Sequence, residues 1–262
     1  MQLIGYSNEI WQKRFFWMSL VKADLRTRYR HSWLGIGWSL MHPLAMTGVF
    51  CIVFCKLFNA DPVTFGPYVL AGLAFWNFLS GVTSDGCQCF FQGERFIRQQ
   101  PAPLAIYPLR ITLGMLIHLA MALAVLLVFV WVTQGFGNYR VLWSLLPTMV
   151  LLFAFGWSVT ICMGMMNVVF QDTQHLIQII IQALFYITPI FYPSKLLRDH
   201  NLGWIADYNP LARCIELIRE PVLYARLPSM ECVAIVSMTT FLLSVVAIVL
   251  LRRMEQRLIF YL

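Results

Sequence analysis

Apolar residues in this chain come in long unbroken runs, not in the strict alternation of strands or the one-sided stripe of a surface helix. Six runs, over about 33–58, 68–91, 104–132, 141–170, 174–191 and 232–251, approach the ~20 residues that a bilayer crossing needs. They predict six transmembrane helices, with Pro43 kinking the first and Asp85 the one acid in the second. Residues 7–30 differ. Lys13, Arg14, Lys22, Arg26, Arg28 and Arg30 interrupt every apolar stretch, so the segment is neither a span nor a signal peptide. With Ser7 or Asn8 as a cap, Glu9 in the first turn and Trp11, Phe15, Phe16 and Trp17 among the cations, it predicts an amphipathic helix in the headgroup plane. Residues 195–230 interleave apolar and charged positions. Asn209-Pro210 starts one helical piece and Pro221 ends or bends it, which predicts two short outer-face helices between spans five and six.

Composition agrees with an all-α membrane protein. Hydrophobic residues make up 60% and charged residues 12%, against ~25% charged in soluble domains. Nothing outside the apolar runs is long enough to fold alone. The organisation is therefore an N-terminal segment 1–32, one membrane domain 33–251 and a tail 252–262. The net charge of +7 comes from cations flanking spans, not from a basic patch, and no nucleic-acid motif is present. With the N-terminus inside, twelve of the 19 Lys and Arg fall on the inner side, so the positive-inside rule favours cytoplasmic termini. The odd count of seven cysteines, all in apolar settings, reads as packing residues and not as a disulfide or zinc framework.

Several motifs stand in order along the chain. They are Arg26-Thr27-Arg28-Tyr29-Arg30-His31-Ser32-Trp33-Leu34-Gly35-Ile36-Gly37-Trp38 closing on His42-Pro43, Gly72-Leu73-Ala74-Phe75-Trp76-Asn77-Phe78, and the proline-containing loop 101–109. Gln171-Asp172 then leads to Thr188-Pro189-Ile190-Phe191-Tyr192-Pro193, and Asn209-Pro210-Leu211 precedes Glu216 and Arg219. In this order and spacing they resemble the ABC-2 family of transporter membrane subunits, and within it the permeases that export O-antigen, capsule and teichoic-acid polymers; the resemblance covers nearly the whole chain. It implies an inner-membrane half-transporter that pairs with a second copy and with two separate ABC ATPase subunits, and that exports a lipid-linked polysaccharide. ATP and Mg would then be bound by the partner; this chain has no Gly-x-x-x-x-Gly-Lys-[Ser/Thr] phosphate loop and no cofactor is expected in it. It would not be an enzyme by itself.

The candidate residues fall into three groups. In the loop 93–103, Phe96 and Ile97 could fill an ATPase groove with Glu94, Arg95 and Arg98 at its rim; otherwise the loop is an ordinary positive-inside turn. Gln174, Gln178 and Gln182 share one helical face, extended by Gln171 and His175, and form either the wall of a sugar path or a helix–helix hydrogen-bonding seam. Trp76, Phe78, Trp157, Phe185, Tyr186, Phe191 and Tyr192 either line that path or serve as core and interfacial packing. At the outer face, residues 195–230 would gate the exit, with Asn209 and Pro210 at a break and Glu216 paired with Arg219. Asp85 lies near the inner end of span two, whereas His118 is deeper and alone; they invite a proton relay or are simply satisfied buried groups. Gly156, Thr160 and Gly164 form a small-residue packing row. Rival functions are an ABC-2 exporter of a small hydrophobic drug or lipid, a membrane glycosyl- or acyltransferase, for which Glu94 and Asp172 are too scattered, and a proton-coupled transporter.

Overall fold

The computed structural model describes residues 3–28, 35–99, 102–135, 137–199, 201–255 and 258. All regular elements among them are helical: α1 (Leu3–Gln12), α2 (Arg14–Arg28), α3 (Trp38–Phe58), α4 (Pro62–Cys87), α5 (Glu94–Gln99) and α6 (Ile106–Thr133). Then follow α7 (Leu145–Val169), α8 (Thr173–Ile187), α9 (Ser194–Asp199), α10 (Gly203–Tyr208), α11 (Pro210–Leu223) and α12 (Met230–Met254), with 3₁₀ turns at Gly35–Gly37 and Tyr139–Ser144.

Five of these helices, α3, α4, α6, α7 and α12, are long and apolar enough to cross a bilayer. Of the six expected spans, the fifth is the one that falls short of that length. The fifth apolar run is helical only over Thr173–Ile187, 15 residues, or about 22 Å at ~1.5 Å per residue. Pro189 is the reason. Thr188 is extended (φ −80°, ψ 134°), as a residue before proline must be, and Pro189 has no amide to continue the ladder. The second span starts earlier than its apolar run. Asp61 accepts a hydrogen bond from the Val63 amide at 3.2 Å and Pro62 takes the first helical position. The beginning of the first run, 33–34, lies outside the described residues, and α3 starts at Trp38.

α4 is the axis of the bundle: 78% of its apolar window is buried, against 11% for α3. α3, α6, α7, α8 and α11 pack around it. The seam with α7 depends on small residues. A Cβ on Gly156 would lie 2.5 Å from Phe78 Cζ, and one on Gly164 would lie 2.6 Å from Cys89 Sγ. Between them, Thr160 Oγ1 donates to the Val82 carbonyl at 3.1 Å. The packing reading of this row is therefore the observed one, and Phe78 is a core residue, not a path lining. The seven cysteines are all free thiols, six of them buried.

The N-terminal helix is two helices joined at Lys13. Tyr6 and Ile10 of α1 pack on a second apolar cluster with Ile97, Leu104, Ala105, Leu251 and Leu258, so both ends of the chain lie at one end of the bundle. Three helices, not two, lie between α8 and α12, and the longest is not a surface helix. No residue of α11 is exposed; Cys214, Ile215 and Ile218 are fully covered.

Candidate functional site

The three groups of candidate residues lie at different levels of the bundle. At the end carrying the termini, the loop after α4 forms the helix α5. Glu94 and Arg98 pair across one turn at 2.9 Å, and Arg95 is exposed. Phe96 is also exposed and meets the Phe16 ring of α2 edge-on at 5.8 Å. Ile97 points the other way, into the apolar cluster at 8% exposure, so it is unavailable to a partner's groove. That corrects its expected role: a six-residue helix has an inner and an outer face, and 96 and 97 fall on opposite ones. Pro101 lies outside the described residues. The helix is braced from behind, because a Cβ on Gly93 would lie 2.4 Å from the Tyr107 ring. The Tyr6 hydroxyl accepts the Ala105 amide at 3.2 Å, and burial pushes that phenol's pKa up. Glu255 lies beside Tyr6, and burial holds its carboxyl above its ordinary range.

α8 carries the glutamine stripe, which the structure divides. Gln174 is half-buried and accepts a hydrogen bond from the Gln88 amide of α4, and its backbone amide donates to Asn167 Oδ1 at 3.2 Å. It belongs to the packing seam. Gln178 and Gln182, with Gln171 and His175, are exposed on the outward face. Toward the far end the stripe meets a cluster of rings. Trp76 and Phe185 are 5.5 Å apart, Phe185 and Tyr186 5.4 Å, Phe185 and Phe191 5.9 Å, and Phe191 and Tyr192 5.1 Å. Phe50 and Phe54 of α3 complete it, at 5.3 and 5.1 Å from Phe191. Sequence reasoning missed these two; their i, i+4 spacing is the signal that could have found them. Trp157 is elsewhere, its indole donating to the Ala105 carbonyl.

The far end is organised by Arg219. Its side chain is 3% exposed and makes four hydrogen bonds to three backbone carbonyls. Nε and Nη2 donate to Tyr68 O at 3.2 and 2.9 Å, Nη1 to Pro189 O at 2.9 Å and Nη2 to Ile190 O at 2.6 Å. The guanidinium also lies 3.5 Å from the Tyr68 ring centroid. The Pro189 and Ile190 carbonyls are open to it because α8 stops at Ile187 and the chain beyond has no helical ladder, whereas Tyr68 O is a carbonyl of α4 itself. Gly72 makes room: a Cβ there would meet Arg219 Nη2 at 2.9 Å and Ile190 O at 3.0 Å. Asn209 caps α11, accepting the Leu211 amide at 2.9 Å, and its own amide donates to Thr188 Oγ1 at 3.2 Å; Pro210 is the first helical residue. Tyr68 Oη donates to Tyr192 O at 3.1 Å, and Tyr192 Oη to Ile187 O at 2.8 Å.

Glu216 is not the partner of Arg219, as its spacing had suggested. It pairs with Arg213 at 2.8 Å, which also reaches Asp207 and Glu231 at 3.7 and 3.5 Å. Both arginines lie three residues from Glu216, but only Arg213 has further carboxylates around it, whereas Arg219 faces carbonyls. Glu220, also buried, accepts from Arg226 at 3.2 Å and from the Ser229 amide at 2.7 Å. Among the described residues no three His, Cys, Asp or Glu side chains gather into a metal site.

The profile of the ABC-2 type transporter family matches residues 16–223, from α2 to the end of α11. The chain belongs to that family. As an ABC-2 chain with five long apolar helices it is a multi-pass membrane transport subunit. Among its relatives, an O-antigen export system permease protein RfbA of Klebsiella pneumoniae is 24% identical over 91% of both chains. RfbA of Myxococcus xanthus is 24% identical over 87% of this chain and 88% of its own. The polysialic acid transport protein KpsM of Escherichia coli is 22% identical over 78% and 80%. The ABC-2 relatives thus sit in the polysaccharide export branch that the motifs resemble.

Proposed function

We infer that two copies of this subunit form one path that carries a lipid-linked polysaccharide, such as an O-antigen or a capsule, out across the inner membrane. Two separate ATPase subunits drive it, docking at the end that carries the termini, which is then cytoplasmic. The exposed side of α5, with Glu94, Arg95, Phe96 and Arg98, is the docking element. The gate is the 188–193 segment held by α11.

One observation carries this reading. Gln178 and Gln182 leave an amide face uncovered on a membrane helix, and that face leads to a cluster of rings. Lipid does not tolerate exposed amides, whereas a wet path does. Amides exchange hydrogen bonds with sugar hydroxyls, and ring faces give a sliding sugar an apolar surface. An exporter of a small hydrophobic drug would need neither. The polysaccharide export roles of RfbA and KpsM support the same reading.

The test places single cysteines at 174, 178 and 182 in a background without native cysteines and applies a membrane-impermeant thiol reagent to the complex during ATP turnover. Positions 178 and 182 are expected to label and 174 to label slowly. Protection of all three, with normal labelling of loop controls, would overturn the assignment of this face to a water-filled path.

A further inference from the structure

A second polar feature lies between α3, α4 and α6. In its half toward the chain termini the otherwise buried α4 has one partly open stripe, Asn77, Ser80 and Ser84, at spacings of three and four. The stripe opens into a groove of about 570 Å³ between α3, α4 and α6. Ser39 and His42 from α3, Asn77, Ser84 and Asp85 from α4, and His118 from α6 contribute its polar wall. His118, expected to be alone, therefore shares a cavity with Asp85. The volume falls within the ~300–1,000 Å³ of ligand-binding clefts. A smaller cavity of about 290 Å³ adjoins it through Asp85 and His118.

We propose that this groove binds a neutral hexose-type sugar unit of the exported glycan; the assignment rests on the export reading above. The chemistry of the wall selects that class. Hydroxyls, an amide, a carboxylate and imidazoles both donate and accept, as the vicinal hydroxyls of a pyranose require. Met115 and Leu119 supply an apolar wall for the C–H face of the ring, and the indole of Trp38, 55% exposed, stands at the rim. A phosphate fits poorly. Among the described residues the groove has a carboxylate and no Lys or Arg in its wall, and the Arg110 guanidinium in the adjoining cavity is engaged by Asp24 at 3.3 Å and Gln92 at 3.2 Å. An acyl chain would gain nothing from a wall lined by Ser39, His42, Asn77, Ser80, Ser84, Asp85 and His118.

The experiment uses the full chain in nanodiscs, with Cys51→Ala and Ser84→Cys, and follows labelling of the thiol introduced at position 84 by a small thiol reagent. The probes are octyl β-D-glucopyranoside and, as the same tail on a zwitterionic phosphate head, octyl phosphocholine, both below micelle formation. The glucoside is expected to slow labelling about tenfold, with no effect of the phosphocholine. Asp85→Asn and, separately, His118→Gln should each weaken glucoside protection about tenfold, the loss of one or two good hydrogen bonds, with protection read as the ratio of labelling rates without and with glucoside in the same variant. Equal protection by both amphiphiles identifies a groove for tails and overturns the proposal, as does absence of protection by the glucoside. If protection is absent while positions 178 and 182 still label during turnover, this subsite falls and the export reading stands.

Discussion

Replacing Arg219 with Met removes the guanidinium while roughly keeping its volume. In the native protein that group satisfies three buried carbonyls, Tyr68 O, Pro189 O and Ile190 O, with four hydrogen bonds of 2.6–3.2 Å. After substitution the Pro189 and Ile190 carbonyls have no amide in reach, because α8 has already ended and Gly72 offers no side chain, whereas Tyr68 O keeps its place in the α4 ladder. An unsatisfied buried acceptor costs about 1–3 kcal/mol, and loss of a buried, hydrogen-bonded charge typically about 3–5 kcal/mol in total. At roughly 2–4 °C per kcal/mol for a chain of this size, the midpoint should fall by about 6–20 °C. The assay is thermal unfolding in detergent read by a thiol-reactive dye, since six of the seven cysteines are buried and report exposure. Arg219→Lys should be intermediate, because an ammonium keeps the charge but cannot fork between Tyr68 O and the 189–190 carbonyls. A double-mutant cycle separates the two arginines: Arg213 and Glu216 should couple by about 1–2 kcal/mol, and Arg219 and Glu216 by roughly nothing. An Arg219→Met midpoint within ~2 °C of wild type, or strong coupling of 219 to 216, would refute this account.

Gly164→Ala sets a methyl 2.6 Å from Cys89 Sγ and 3.0 Å from Gly86 O, so it should lower stability by about 1–3 kcal/mol, measured by the same unfolding assay. Phe96→Ala should abolish stimulation of the partner ATPase without moving the midpoint, whereas Ile97→Ala should lower the midpoint by about 2–4 kcal/mol equivalent; the reverse pattern would reassign the two faces of α5. Burial holds the Glu255 carboxyl above its unfolded pKa, so it takes up a proton on folding. Stability should therefore rise as pH falls through the folded pKa and level off below ~4.3, and Glu255→Gln should flatten part of that slope in a pH series of unfolding midpoints.

Much of the bundle was legible because long apolar runs admit few structures, and the Asn209 cap and the Gly156 row carry their own local chemistry. What the pattern hid follows from partners distant in sequence. Residues 210–223 alternate apolar and charged positions and so resemble a surface helix, yet none of them is exposed. The charges are tolerated because Arg219 meets carbonyls 29 to 151 residues away and Glu220 meets Arg226 and the Ser229 amide. Spacing alone offered Glu216 to Arg219 and to Arg213 equally; the neighbouring carboxylates Asp207 and Glu231 decided the matter. The glutamine stripe was read as one unit, but Gln88, 86 residues away, claims its first member. The length of the fifth span was misjudged because apolarity continues past Pro189 while the helix does not.

That early end of α8 also bears on the speed with which the far end of the bundle can rearrange. A helix melts cooperatively, since each amide bond is propped by its neighbours and a nucleus must be rebuilt afterwards. The carbonyls of Pro189 and Ile190 have no such neighbours; each is held individually by a nitrogen of one side chain. Their bonds can be exchanged singly for other donors, so the barrier is that of one hydrogen bond at a time and no secondary structure has to be nucleated again afterwards.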